Sequence, residues 1–173
     1  MAARSRRGGT GVMTGAHRAL ETPLGPLVLS ADASGRLTGV SFGPTSNAPG
    51  SSGAGGVLDD AAAQLGEYFD GRRRAFTLPL AIGGTSFQRQ VWEQLRRVRY
   101  GTTVSYAELA RRVGRAGAAR AVGHANARNP LAIIVPCHRV VGASGGLTGY
   151  GGGLEAKRFL LGIEAGAASR HPG

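Results

Sequence analysis

Apolar and polar positions along the chain follow two periods. Alternation describes strands over residues 24–31 and 36–42, joined by Asp32-Ala33-Ser34-Gly35, a run of turn-forming residues. Residues 43–56 are rich in Gly, Ser and Pro and read as a loop. The period then lengthens. Leu58, Ala62, Leu65 and Phe69 share one face of a helix over 57–70, and Gly71 stands where a left-handed glycine ends a helix. Arg72-Arg73-Arg74 reads as exposed charge near that helix end. Phe76, Leu78, Leu80 and Ile82 alternate again, as in a half-buried strand, and Gly83-Gly84 reads as a linker at a domain boundary.

The second half is helical in period. Phe87, Val91, Leu95 and Val98 fall on one face of a helix headed by Thr85 and Gln88, which can form a capping box. Ser105-x-x-Glu108 is a second capping box. It opens a helix with Tyr106, Leu109, Ala110 and Val113 on its apolar face, closed by Gly114. A turn at 115–117 leads to a helix over 118–128 that Asn129-Pro130 stops. Helix, tight turn, helix is the outline of a helix-turn-helix, although many helix pairs bind nothing. The later helix is mostly Ala and Gly, so its backbone can approach a partner closely. The minor groove, about 6 Å wide with a degenerate code, suits such a helix. Close helix–helix packing would use the same small residues; Arg120 and Arg128 favour nucleic acid.

Charge supports that direction. Of the net +11 over 173 residues, residues 1–84 carry +2 and residues 85–173 carry +9. A surplus of this size on a small unit points to a polyanion, nucleic acid ahead of an acidic membrane, with a solvated basic surface as the bland alternative. The longest apolar run, 131–135, is far too short to span a bilayer. The basic stretch at 1–14 precedes no apolar segment and reads as a disordered tail rather than a signal peptide. A single cysteine excludes an intramolecular disulfide and a zinc site of several cysteines, and fits a reducing, cytoplasmic compartment.

That cysteine is the candidate for chemistry. The apolar run 131–135, read as a buried strand or extended segment, delivers Pro136-Cys137-His138-Arg139-Val140. A lone cysteine is more often an inert small hydrophobe. The adjacent His138, the positive Arg139 and the rigid Pro136 shift the reading to a nucleophile, since nearby cations can lower a thiol pKa to about 3.5–7.5. Side chains adjacent in sequence often point apart, so a bridging water between Cys137 and His138 is expected rather than a direct bond. The base then needs an orienting acid. Glu93, Glu108, Glu155 and Glu164 are the acids of this half. Glu108 is assigned to its capping box. Glu164, after a helix face of Ala156, Phe159, Leu160 and Ile163, is the candidate by elimination.

An ordered series of motifs links these elements. Ser86-Phe87-Gln88, Val91-Trp92, Tyr100-Gly101-x-Thr103-x-Ser105-Tyr106, Ala119-Arg120-Ala121-Val122-Gly123 and Asn129-Pro130 come first. Ile134-x-Pro136-Cys137-His138-Arg139-Val140, Gly149-Tyr150-x-Gly152-Gly153-Leu154 and Lys157-x-x-Leu160-Leu161-x-x-Glu164 follow. Over about residues 85–165 the chain resembles the O6-alkylguanine-DNA alkyltransferases, also called methylated-DNA–protein-cysteine methyltransferases. The first half is similar to that family only in general layout.

The resemblance implies an α/β (α+β) fold: a tail over 1–14, a small ribonuclease-H-like domain with antiparallel strands over 15–84, and a mostly helical domain with a helix-turn-helix over 85–173. It implies that Cys137 accepts the alkyl group, that His138 relays its proton through a water, that Glu164 orients His138, and that Asn129 braces the turn. Arg120 would enter the duplex in place of a flipped base, with Ala119, Gly123 and Arg128 beside it on the DNA-binding helix. Tyr106 would crowd the phosphate. Tyr150, Gly151, Val140 and Lys157 would surround the alkylguanine. No cofactor is expected. No metal is expected either, because the chain lacks the cysteines of the zinc site that some members carry. The expected partner is double-stranded DNA, bound through the minor groove without sequence preference by a monomer, with no membrane involved. Two other readings stay open: a Cys-His hydrolase, which would turn over, and a helix-turn-helix transcription factor, which would bind specific sequences without needing Cys137.

Overall fold

A computed structural model describes residues 15–44 and 56–170, with side chains through 166. The expected tail over 1–14 and most of the expected loop over 43–56 lie outside the described residues. The chain begins with a three-stranded antiparallel sheet, β1 (Ala16–Thr22), β2 (Gly25–Ala31) and β3 (Leu37–Phe42), in the order β1-β2-β3. The sequence pattern missed β1. It is an edge strand with no fully buried residue, so its apolar alternation is weak. A two-residue turn at Pro23-Leu24 joins it to β2: Thr22 Oγ1 accepts from the Leu24 N–H (3.1 Å), and Gly25 takes a φ of 88°. Leu24, expected in the strand, therefore lies in the turn.

Helix α1 (Val57–Phe69) covers the sheet and ends at a left-handed Gly71, as its sequence predicts. Val57, Leu58, Ala61, Ala62, Leu65 and Tyr68 are its buried face; Phe69, expected there, is half-buried while Tyr68 is fully enclosed. Residues 76–80 keep the expected alternation of burial, which lapses at Ala81 and Ile82, and the segment forms no strand. Only Leu80 makes a bridge, to Leu37 in β3, where Pro79 offers a carbonyl but has no N–H for a ladder. A second bridge, Val40 to Leu131, lies further along β3. The otherwise open side of the sheet is thereby joined to the turn that carries the cysteine.

The helices of the second half are α2 (Ser86–Arg96), α3 (Tyr106–Arg112), α4 (Ala119–Ala127) and α5 (Leu154–Arg170). The Thr85–Gln88 capping box on α2 is complete. On α3 only half of the expected box forms. Ser105 Oγ accepts from the Glu108 N–H at 3.1 Å, but the Glu108 carboxylate faces Arg111 and Arg112. The Trp92 indole of α2 donates to the Ala125 carbonyl of α4 (2.8 Å), and Gly123 lets α4 approach the Tyr106 ring. Two short strands, β4 (Val104–Ser105) and β5 (Val140–Val141), pair in parallel. One apolar cluster, from Leu27 and Leu65 through Val40 and Leu131 to Leu109 and Leu160, runs through both halves.

Candidate active site

Residues 129–137 form a tight buried turn rather than the expected extended segment. Ile133, a β-branched residue, sits at φ 71°, a strained conformation that its surroundings must hold in place. Asn129 does much of that holding. Its Nδ2 donates to the Val135 carbonyl (2.8 Å), and its Oδ1 accepts from the Leu131 N–H (2.9 Å). Backbone bonds from Val135 to Leu131 and from Cys137 to Val135 close the turn. The product is a fixed position for Cys137 at the start of a single 3-10 turn (Cys137–Arg139), where the residue is only 6% exposed.

Burial pushes the Cys137 thiol above its ordinary pKa; the Asn129 hydrogen bond and the Lys157 charge pull the other way without overcoming it. This reverses the expectation that neighbouring cations lower it. The reason is burial, which outweighs the nearby charge, while the guanidinium of Arg139 is committed elsewhere. Its Nε and Nη2 reach the two oxygens of Glu164 at 2.9 Å each, and its Nη1 donates to the Val98 carbonyl at 2.6 Å.

Glu164, on α5, is the hub. Its Oε1 also accepts from Tyr68 Oη (2.8 Å) and lies 2.7 Å from His138 Nε2. Burial would raise its pKa, but hydrogen bonds from His138 and Arg139 overcome that and hold it at about 2. An ionised carboxylate only accepts, so the neutral imidazole must carry its hydrogen on Nε2. Nδ1 then presents a lone pair, and it has no hydrogen-bond partner among the described residues. Burial also keeps His138 below its ordinary pKa against the pull of Glu164, which leaves a neutral base. The arrangement can take a proton from a thiol near Nδ1.

Cys137 opens into a cavity of about 380 Å³, bounded by Tyr106, Asn126 and Asn129 on one side and by Phe42, Tyr150 and Gly151 on the other. The size is that of a small-ligand site. Val140 and Lys157, expected around a base, do not line it. Lys157 is fully buried, and its Nζ donates to the carbonyls of Val140 (2.6 Å) and Thr148 (2.9 Å), bracing the segment between them. Ala119, Arg120 and Gly123 line an adjoining open groove with Tyr106, His124 and Thr148. Tyr106 belongs to both concavities, and its hydroxyl is 2.8 Å from Thr148 Oγ1. His124, unassigned from sequence, lies in this groove; Arg128 is exposed and lines neither.

Sequence reasoning missed Tyr68, Phe42 and Asn126. Tyr68 had a weak signal, as a hydroxyl-bearing aromatic in step with Leu58 and Leu65 on α1. Phe42 and Asn126 had none that distinguished them from core or helix residues. Among the described residues no group of three or more His, Cys, Asp or Glu could hold a metal, and no helix is long and apolar enough to cross a membrane.

Comparison with known proteins agrees with this geometry. Residues 16–82 match the family described as 6-O-methylguanine DNA methyltransferase, ribonuclease-like domain, and residues 86–166 match its DNA binding domain. A methylated-DNA–protein-cysteine methyltransferase of Mycobacterium leprae is 48% identical over 150 residues, covering 85% of this chain and 90% of that protein. One of Methanosarcina acetivorans is 46% identical over 152 residues, covering 83% and 94%. The crystal structure of Mycobacterium tuberculosis O6-methylguanine methyltransferase aligns with a TM-score of 0.80 at 44% identity, covering 91% of this chain and 95% of that one. The structure of Mycobacterium tuberculosis OGT in complex with DNA aligns at 0.79 and 46%, covering 87% and 93%. With matching models over both halves and relatives of this identity along most of its length, the chain belongs to the 6-O-methylguanine DNA methyltransferase family.

Proposed function

We propose that this protein repairs DNA by direct reversal, moving the alkyl group of O6-alkylguanine, and of O4-alkylthymine, onto its own Cys137 once per molecule. The observation that carries the reading is Cys137 on the wall of a cavity of small-ligand size, next in sequence to a neutral His138 whose Nε2 is held by Glu164 and whose Nδ1 is open. The DNA-binding family match and the DNA complex of the Mycobacterium tuberculosis protein support the substrate.

In this mechanism the thiol proton passes to His138 Nδ1 through a bridging water, and the Cys137 sulfur attacks the alkyl carbon in line with the carbon–oxygen bond. A carbon–sulfur bond forms, the carbon–oxygen bond breaks, and its electron pair leaves on guanine O6. The Gly151 N–H stabilises that oxygen, Tyr106 donates to the ring, and guanine N1 takes up a proton that balances the one lost by the thiol. The products are guanine and a thioether. A thioether has no easy hydrolysis, and the chain holds no second cysteine to release the group.

Reaching the base requires flipping it from the stack, at about a few kcal/mol. The Ala- and Gly-rich α4 would lie in the minor groove without reading sequence, with Ala119 and Gly123 close to the duplex and Arg128 on a phosphate. Arg120, exposed on the first turn of α4, would fill the vacated stack, and Tyr106 would crowd the phosphate. The protein works as a monomer in a reducing, cytoplasmic compartment, as two domains, 15–84 and 85–173, that meet at Gly83-Gly84.

Intact-mass analysis after mixing with an excess of duplex carrying O6-methylguanine tests the reading. One methyl group per molecule, mapped to Cys137, is expected, and Cys137→Ser should bind the duplex without accepting it. Continued turnover, or methyl on another residue, would overturn the proposal.

A further inference from the structure

Phe42 lies in the strand-bearing half of the chain, far in sequence from Cys137, yet it lines the same cavity. Its placement follows from β3. The Val40 N–H donates to the Pro130 carbonyl (2.9 Å), and the Ala132 N–H donates back to Val40 (3.1 Å). The strand is therefore bonded to the turn that presents the cysteine. Side chains two apart on a strand share a face. Val40 fills the core against that turn, and Phe42, on the same face, reaches the cavity beyond it. A bond from the Gly43 N–H to the Pro26 carbonyl (3.3 Å) holds the backbone just after Phe42.

The ring meets the glycine-rich segment beside it on the same side of the cavity, where six of the residues 145–153 are Gly. It packs edge-on to Tyr150, with centroids 5.8 Å apart at 73°. It also lies so close to Gly152 that a Cβ there would come within 2.8–3.0 Å of its carbons. Other walls are pinned by hydrogen bonds: Tyr106 by Thr148, Asn129 by its own turn. The Phe42 ring is held by packing alone, and it supports the 150–152 segment through its contacts with Tyr150 and Gly152.

We propose that Phe42 determines specificity by setting the largest alkyl group the cavity accepts. The inference rests on the alkyl-transfer reading above. Its physical basis is volume. Truncating Phe42 to Ala removes one phenyl ring from the wall, and an apolar void of that kind accepts a ring of the same size. One methylene more or less in an apolar pocket already changes discrimination by about 10–200-fold. A benzyl adduct asks for a whole ring.

The test is the second-order transfer rate from duplexes carrying O6-methylguanine or O6-benzylguanine, for wild type, Phe42→Ala, Phe42→Leu and Phe42→Trp. The readout is the benzyl-to-methyl ratio within each protein. The expected order is Trp below wild type, wild type below Leu, and Leu below Ala, with the Ala ratio at least about tenfold above wild type. A merely structural role for Phe42 would slow both substrates together and leave the ratio constant, which would overturn the inference. If Phe42→Ala does not fold, the opposite shifts of Leu and Trp decide the matter alone. Wild type that transfers methyl to Cys137 while the ratio stays flat across the variants defeats this inference only. Wild type that transfers nothing defeats the alkyl-transfer reading, and this inference with it.

Discussion

Replacing Glu164 with Gln tests the hub of the site, because it keeps the shape and removes the charge. Two consequences are separable. The first concerns stability. Arg139, 6% exposed, would lose its counter-charge while staying buried. Removing one partner of such a pair costs about 3–5 kcal/mol. Domains of this kind are stable by about 5–15 kcal/mol, so the variant should stay folded in the cold, with a lower denaturation midpoint. The second concerns the proton. Glu164 can only accept from His138 Nε2, at 2.7 Å, so Nδ1 is free to receive. A Gln amide can donate instead, which favours the tautomer with hydrogen on Nδ1 and removes the acceptor for the thiol proton. General-base catalysis contributes about 10²–10⁴-fold, and the comparable Asp→Asn change in a serine-protease triad costs about 10⁴ through the wrong tautomer. Alkyl transfer by Glu164→Gln should therefore slow by about 10²–10⁴ at neutral pH. The thiol pKa is raised by burial, so hydroxide should substitute for the lost base in alkali and narrow the gap there. Timed quenching with mass detection gives the rate, and urea titration gives the stability. A folded variant that transfers at the wild-type rate near neutrality would refute the relay.

Glu164 also makes an acid-stability prediction. Its folded pKa of about 2 lies below the ordinary 4.5, so its contribution is complete above 4.5 and is lost as pH falls toward 2. The gap corresponds to about 3 kcal/mol, and the stability advantage of wild type over Glu164→Gln should shrink by roughly that amount between pH 5 and 2; an advantage constant across this range would contradict it. If Arg120 fills the vacated stack, Arg120→Ala should greatly slow repair of paired duplex and much less of single strands, where little unstacking is needed. An unchanged duplex-to-single-strand rate ratio would leave Arg120 a phosphate contact. The +9 of residues 85–173 predicts that log affinity for unmodified DNA falls linearly with log salt and barely depends on sequence. Strong preference among sequences of one length would favour the transcription-factor reading.

Much of this was legible in the chain because its determinants are local. Thr85 caps α2 through Gln88, three residues away, and Gly71 and Gly114 end helices through a backbone conformation that suits them individually. The Pro-Cys-His-Arg-Val string, within its ordered motifs, carried the family and the nucleophile. Glu164 was reached by elimination among the acids of residues 85–173 and by resemblance, and the structure places it against His138. What failed involved partners distant in sequence. The strand expected over 76–82 dissolves because β3 offers it a single bridge, at Leu80. β1 was missed because its position at the edge of the sheet leaves little apolar pattern to read.

Composition and motif thus determined the class of fold, the acceptor cysteine and the basic half that would meet DNA. Tertiary structure alone decided the electrostatics. Arg139 is adjacent in sequence to His138 and two residues from Cys137, and it implied a lowered thiol pKa, yet folding pairs it with Glu164 and leaves burial to push the thiol up. Folding also brings Tyr68 from α1 to Glu164 and Phe42 from β3 to the cavity. A side chain's hydrogen-bonding capacity belongs to the residue. Its pKa and its partners depend on which groups the fold packs around it, and those come from both halves of the chain.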